Sequence, residues 1–469
     1  MEHIIQQITV ELVEKITEKA YSGGISDIDA LASEVLQDCK QAAASIIETL
    51  CSEINLQIRK DKSGRKELGL VLKEKERPRE LLTELGKLNL PRDYYYDKEH
   101  EKYVSLLDHM IGLRNYERVG DSLSARMVSL ATDMSYAKSA SIATAGAVSR
   151  QTVKNHIRKI NTLEKHPENP EKRVVKELHV YADEDHVHMQ KPNKEKGKKS
   201  KIVPLVTVTE GMHMECRGRN RTEGAMHFVD EHFDSMNLWK SVEGYIDRVY
   251  DMETLEKIYV HGDGGKWIKS GLNSLPQTIH VMDGYHLGKY IRAISRKFPN
   301  KNVSKRIRTA LQENDKKRVD EILQSLYDAS ENEHQRKCVA DFGSYVMGNW
   351  DEIVNRKKLE IPGSCTEAQV SHVLSERFSR DPLGWSEEGL GKLTKLRVYE
   401  KNGGRITAAD FKEEQKETYS EYADRIIDEV MCSKNDWSIF DGEPLVIDRA
   451  SGTQRLLRGM GTSRNIFWN

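Results

Sequence analysis

The 469-residue chain balances 73 basic against 74 acidic residues for a net charge of −1, which argues against a uniformly basic nucleic-acid binder and leaves any such role to local patches. With 38% hydrophobic and 31% charged residues and no apolar run of membrane-span length, it reads as a folded non-membrane protein of roughly two to four domains, and its acidic amphipathic start does not resemble a signal peptide. The six scattered cysteines form no CxxC pair, so neither a disulfide framework nor a zinc site is expected and a cytoplasmic setting is.

Residues 1–60 carry apolar side chains at helical spacing (Ile4, Ile5, Ile8, Leu12, Val13, Ile16) and read as a helical N-terminal region. Residues 61–115 alternate apolar and charged positions between Gly and Pro breaks, the pattern of a small strand-containing module. Residues 116–163 return to helix. Within them "DMSYAKSASIATAGAVSRQTVKNHIRKI" predicts two helices joined by a turn at Gly146. Ala137, Ala140, Ser141 and Ala143 permit close packing, Ser149 caps the second helix, and Val153 and Ile157 face inward. The outer face would then show Arg150, Gln151, Lys154, Asn155 and Arg158, residue types that contact phosphates and base edges from a helix-turn-helix. An ordinary helical hairpin is the plainer alternative.

The Pro- and charge-rich residues 164–174 read as a linker. Beyond it the pattern turns to strands at 175–190, 200–211 and 212–220, the first two joined by the lysine-rich "KPNKEKGKKSK". A helix over 238–252, the strand "KIYVHG", a short helix and the strand "QTIHVMD" complete a β-β-β-α-β-α-β order over residues 175–295. That order matches a ribonuclease H-like mixed α/β sheet. Residues 296–362 form a mainly helical insertion that opens on a second basic stretch, 363–400 supply a closing helix, and 401–469 are a C-terminal region.

The acidic residues fall into a pattern. Asp183 and Asp185, two apart in the first strand, face the same side of the sheet. Asp263 leaves the fourth strand between glycines, which allow positive φ and close approach of another group. The helical stretch 364–390 begins with Ser364 and Thr366 and carries Glu367 in its first turn and Glu376 later. Taken singly, each is a turn residue or a surface carboxylate. If the first and fourth strands are neighbours, their Asp residues converge, and a helical Glu completes a set of hard oxygen donors suited to Mg²⁺.

Together, "YADEDHVHMQ", "VHGDGGKWI" with "VMDGYHLGKYI", "TEAQVSHVLSERFSRDPLGWSEEGLGKL" and "VSRQTVKNHI" resemble bacterial insertion-sequence transposases of the ISLre type, in the DDE/ribonuclease H-like superfamily. The resemblance covers most of the chain. It implies Mg²⁺-dependent cleavage at the element's ends and strand transfer to target DNA. Asp183, Asp263 and Glu367 would hold two Mg²⁺ ions, with Mn²⁺ able to substitute and Asp185 and Glu376 in reserve. It also implies that Asp283 and His286 form an Asp-x-x-His support, that terminal inverted repeats and target DNA are the partners, and that a homo-oligomer assembles on DNA. Two other readings stand beside it: a catalytically silent DNA-binding relative, and a helix-turn-helix regulator. A zinc hydrolase built on His261, His280 and His286 lacks the HxxxH or HxHxDH spacing that such sites use.

Overall fold

The helical spacing of the first sixty residues produces α1 (Glu2–Ser22) and α2 (Ile28–Lys60), the latter capped by Asp27, which accepts from Ala30 N. The computed structural model describes residues 2–22, 27–161, 163–164, 171–190, 200–216, 219–359, 365–381, 383–412 and 419–432. No described side chain of α1 is buried; burial begins on α2 with Cys51, Ile54 and Ile58. After α3 (Lys62–Glu67) come β1 (Leu70–Arg77), β2 (Glu80–Thr83), β3 (Gly86–Asn89), β4 (Arg92–Asp97) and β5 (Lys102–Val104). They form an antiparallel sheet in the order β1-β4-β5 and a separate β2-β3 hairpin. Then follow α4 (Leu106–Met110) and α5 (Asp121–Asp133).

The described chain divides into two units within α5. One holds the residues up to Ala125 and those from Thr407 onward; the other is Arg126–Ile406. The first packs Ile54, Ile58, Leu70, Tyr95 and Leu106 with Tyr422 and Ile426 of the helix Ser420–Cys432. Its buried Asp93 receives Arg59 Nε at 2.7 Å and Asn55 Nδ2 at 3.2 Å, so α2 and β4 are joined through a satisfied charge.

In the second unit, the end of α5 is followed by the helical pair α6 (Tyr136–Thr144) and α7 (Arg150–Lys159). Ala145 and Gly146 both take positive φ in the turn, and Ser149 caps α7 by accepting from Thr152 N. Val153 and Ile157 are fully buried. The small residues pack differently from expectation: Ser139 and Ala140 are buried while Ala137 and Ser141 are exposed, because Ser139 Oγ donates to the Met127 carbonyl.

A five-stranded mixed sheet follows, built from β6 (Glu177–His188), β7 (Ser200–Thr209), β10 (Met226–Phe228), β11 (Lys257–Gly262) and β12 (Thr278–Met282) in the order β10-β7-β6-β11-β12. β6 and β7 are antiparallel from His179 opposite Thr209 to His188 opposite Ser200, whereas β11 runs parallel to both β6 and β12. The expected third strand at 212–220 is instead part of a separate hairpin, β8 (Gly211–Cys216) with β9 (Arg219–Glu223). Its Met214, Glu215 and Cys216 side chains are exposed, so it has no face to bury, and the three-residue β10 takes the edge position.

One sheet face packs Leu178, Val180, Ala182, Val206 and Val208 against α8 (Ser235–Val249) and α9 (Lys266–Leu272). Leu238, Trp239, Val242, Tyr245, Ile246 and Val249 form the helical stripe that makes this contact. Next come α10 (Gly284–Lys297), α11 (Val303–Gln312), α12 (Lys316–Asp328), α13 (Glu333–Gly348) and α14 (Trp350–Lys358), sharing a core of Ile291, Ile307, Ile322, Phe342 and Ile353.

The single helix expected over 364–390 is interrupted. The described part consists of α15 (Thr366–Val370), a π-helical turn (Ser371–Ser375) and α16 (Glu376–Phe378), and α17 (Glu387–Lys401) starts afresh with Ser386 as cap. Between them Trp385 pairs with the end of β6, its N donating to His188 O at 3.1 Å while Gln190 N donates to Trp385 O at 2.8 Å. Its buried ring lies edge-on to Phe378. Ser364, the linker residues 165–170, the lysine-rich residues 191–199 and the C-terminal residues 433–469 lie outside the described residues.

Candidate functional site

Alternation along β6 sends His179, Tyr181, Asp183 and Asp185 to the face opposite α8. The lower part of this face is a ring ladder. Tyr181 stacks on His261 of β11 with centroids 4.5 Å apart, and His179 Nδ1 lies 3.0 Å from His261 Nε2. Burial pushes the His261 pKa down to about 3, so this imidazole is neutral. It is a packed sheet residue and not a ligand of the site.

Tyr181 is paired with His261 in the parallel register. Two residues beyond that rung on each strand stand Asp183 and Asp263, so the two carboxylates leave neighbouring strands at the same level. Asp183 is 6% exposed and Asp185 9%. Burial, with a further push from the charges of Asp263 and Asp283, raises the Asp183 carboxyl to about 7, against the opposing pull of His286 and the Glu184 N–H. The N–H bond is real but single, with Glu184 N 2.8 Å from Asp183 Oδ1. Asp185 Oδ2 is buried with no hydrogen-bond partner among the described residues.

Asp263 Oδ1 accepts from Gly265 N at 2.8 Å, which folds the strand end into a turn. The flanking glycines serve the protein's own packing. A Cβ on Gly262 would stand 2.8 Å from Ile268 Cδ1, and one on Gly264, at φ +86°, 2.5 Å from Asn349 Oδ1. The room expected there for a ligand's approach is therefore filled by Ile268 and Asn349.

The Asp-x-x-His element starts α10. Asp283 is 1% exposed, and its Oδ2 accepts from His286 N at 3.1 Å and lies 3.0 Å from His286 Nδ1. This bond and the surrounding carboxylates hold the His286 pKa above its ordinary value. Across the site, Thr366 Oγ1 reaches Asp283 Oδ1 at 3.5 Å, placing the start of α15 against the start of α10. Glu367 follows. One ligand atom each from Asp183, His286 and Glu367 lie within 4.8 Å of one another, a spacing compatible with one bound cation.

Glu376 lies elsewhere in its interactions. It meets His372 at 2.8 Å, Arg397 at 3.7 Å and Arg380 at 3.8 Å, and these partners, His372 foremost, lower its pKa. His286 was expected only as support; its place in the cluster follows from the N-cap spacing, which turns the third residue of a helix back towards its cap.

On α7, Arg150, Gln151, Asn155 and Arg158 are exposed and Lys154 is half-buried. Gln151 Nε2 donates to Asn155 Oδ1 at 2.9 Å, and Arg158 is paired with Glu388 of α17 at 2.6 Å. His280 lies 3.4 Å from Glu352, away from His286's bonds, so the three histidines do not form a common zinc set.

Among similar proteins, a UPF0236 protein of Caldanaerobacter subterraneus subsp. tengcongensis is 32% identical over 414 residues, 87% of this chain and 86% of that protein. Another from the same organism, whose name joins eleven designations, is 32% identical over 82% of this chain and 80% of its own length. The Drosophila P element transposase strand transfer complex superposes with a TM-score of 0.21 and 9% identity, over 67% of this chain and 92% of that one, which is too slight to carry an argument. No described helix is long and apolar enough to cross a membrane. The match to UPF0236 spans residues 23–415, and this chain belongs to that uncharacterised protein family.

Proposed function

We propose that this protein is the DNA transposase of an insertion sequence, cutting at the element's ends and joining the freed strand to target DNA through Asp183, Asp263 and Glu367. The observation that carries the reading is the meeting of Asp183 with Glu367 and His286, beside the level at which Asp263 leaves the next strand. The sheet supports a ribonuclease H-like reading as well. In chain order its strands lie third, second, first, fourth, fifth, with the fourth and fifth parallel to the first.

The donor set fits a divalent cation. The two carboxylates suit Mg²⁺ or Mn²⁺, while the imidazole, a softer donor, favours Mn²⁺ over Mg²⁺, and Asp185 Oδ2, without a hydrogen-bond partner among the described residues, is a further oxygen beside Asp183. Asp183, Glu367 and His286 would hold one ion, and Asp263 would join in holding the second. Such ions, when bound, activate the attacking oxygen and neutralise charge on the leaving one. The chain's own contribution is placement. Asp283 fixes the His286 ring, Thr366 ties Glu367's helix to that cap, and the Tyr181–His261 ladder closes the sheet beneath the carboxylates. Around them, the exposed residues of α7 would read the terminal repeats. A relative whose name joins eleven designations from one organism also agrees with a gene that multiplies.

The test is cleavage of a duplex carrying the element's own ends, in Mg²⁺ or Mn²⁺, by the wild type and by Asp263→Asn. Cutting by the wild type alone, with end binding kept in both, is expected. Binding without cutting by the wild type in either metal would overturn the enzymatic reading in favour of a DNA-binding relative.

A further inference from the structure

From Gly284 to Gln312 the chain has eight lysines and arginines and no aspartate or glutamate. In a protein of net charge −1 such a stretch is unusual. Elsewhere in the same helical region cations are matched locally, as Arg318 is with Glu313 and Lys317 with Glu321. On α10, Lys289, Arg292 and Arg296 are spaced at i, i+3 and i+7, so they share one face, and all three are exposed. On α11, Lys305 and Arg308 are also exposed.

The two helices bring their charges together. A Cβ on Gly288 would stand 3.3 Å from Arg292 Nη1 and 3.7 Å from Arg308 Nη2, so both guanidinium groups reach the same spot. Among the described residues, Arg308 Nε donates to the Ser304 hydroxyl, at 3.3 Å. Beside them a cleft of about 560 Å³ is lined by Ser295, Phe298, Asn302, Ser304, Lys305 and Arg308. Like charges converge at a cost unless an anion lies between them, and arginine forks match phosphate oxygens. Lys289, three residues after His286 and three before Arg292 on the same helix, joins this basic face to the side of α10 that carries His286, so the face adjoins the rim of the site.

We propose that the face formed by α10 and α11 is a phosphate track that carries a DNA strand to the carboxylate cluster, with Arg292 and Arg308 gripping one phosphate. This rests on the reading of the cluster as a DNA-cutting site, but the track is tested by binding alone. The partner is DNA backbone and not an acidic protein because the track leads into a site whose chemistry is phosphodiester displacement.

The experiment measures binding of the full-length protein to a labelled duplex of arbitrary sequence, without divalent metal, across a salt series. The double variant Arg292→Ala/Arg308→Ala is compared with the wild type and with Lys317→Ala, which lies off the track. Loss of two phosphate contacts should weaken binding about tenfold or more and flatten the log K against log salt slope by about 2. The control variant should match the wild type. Unchanged affinity and slope in the double variant, with an unchanged thermal transition, would overturn the track. So would a wild type that ignores the duplex yet binds poly-glutamate through these arginines. A wild type that binds through the arginines but never cuts keeps the track and defeats the enzymatic reading; one that cuts while the double variant binds and cuts equally does the reverse.

Discussion

Asp283 holds His286 twice, through the backbone N–H at 3.1 Å and through ring Nδ1 at 3.0 Å, which leaves Nε2 as the ring nitrogen for the cluster with Asp183 and Glu367. One side chain thus starts α10 and sets the imidazole's tautomer and direction.

Replacing Asp283 with Asn separates these duties. Asparagine caps a helix as well as aspartate does, so α10 should persist, but the carboxylate that orients His286 is gone. Mn²⁺ affinity, measured by titration calorimetry without DNA, should fall about 10- to 100-fold. His286→Ala should fall at least as far. Equal affinity in all three proteins would show that the imidazole is not a ligand.

Asp183→Asn should abolish cleavage yet stabilise the metal-free protein. The folded-state pKa of Asp183 is raised to about 7 from an ordinary carboxyl value of 3.8. Its contribution to stability is therefore fully present below about pH 4 and is lost as pH rises through about 7. The gain in the variant should grow across that window and level off above it, at a size on the order of 4 kcal/mol. Thermal melts in chelator from pH 4 to pH 8 measure it. A variant that is less stable than wild type at pH 8 would contradict the assignment.

Arg397 is 2% exposed and donates to His372 O at 2.8 Å, Val373 O at 2.5 Å and Thr132 O at 2.9 Å, besides pairing with Asp133. Two of those carbonyls belong to the π-helical turn behind Glu367. Arg397→Met should strand them and cost about 3 kcal/mol or more, seen as a lowered denaturation midpoint. Cleavage should fall further than the loss of folded protein explains, because the turn positions Glu367.

A methyl group on Gly271 would stand 2.0 Å from Trp239 Cε2, at the seam where Trp239 Nε1 also donates to Trp267 O at 2.9 Å. Gly271→Ala should cost about 1–3 kcal/mol by overpacking. Tryptophan fluorescence during urea unfolding would report it, and an unchanged midpoint would mean that α9 shifts freely.

How far the site could be read from the residues depended on period. Asp183 and Asp185 sit in a twelve-residue strand whose alternation is plain, and both are buried on the same face. Ser149 stands before a helix whose apolar positions Val153 and Ile157 repeat at four, and it caps that helix. The segment from Thr366 to Phe378 reads as unbroken helix because a π turn changes hydrogen-bond partners without changing residue types. Met226–Phe228 is too short to show an alternation, and its role as an edge strand comes from pairing with β7. His286 was visible as part of a cap, but its approach to Glu367 depends on residues some eighty positions apart in the chain, joined by the Thr366–Asp283 contact.

The grip of α17 on α7 has a consequence for where DNA would be cut. Arg158 pairs with Glu388, and Lys392 Nζ donates to the Arg158 carbonyl at 2.7 Å, so the second helix of the pair is tied to α17 within the same unit that carries the carboxylates. Under the proposed function, the sequence read by α7 and the bond broken beside Asp183 are separated by a rigid span of protein. The number of base pairs between them is then a constant of the molecule, as on a ruler, and shifting the repeat by one base pair shifts the cut by one.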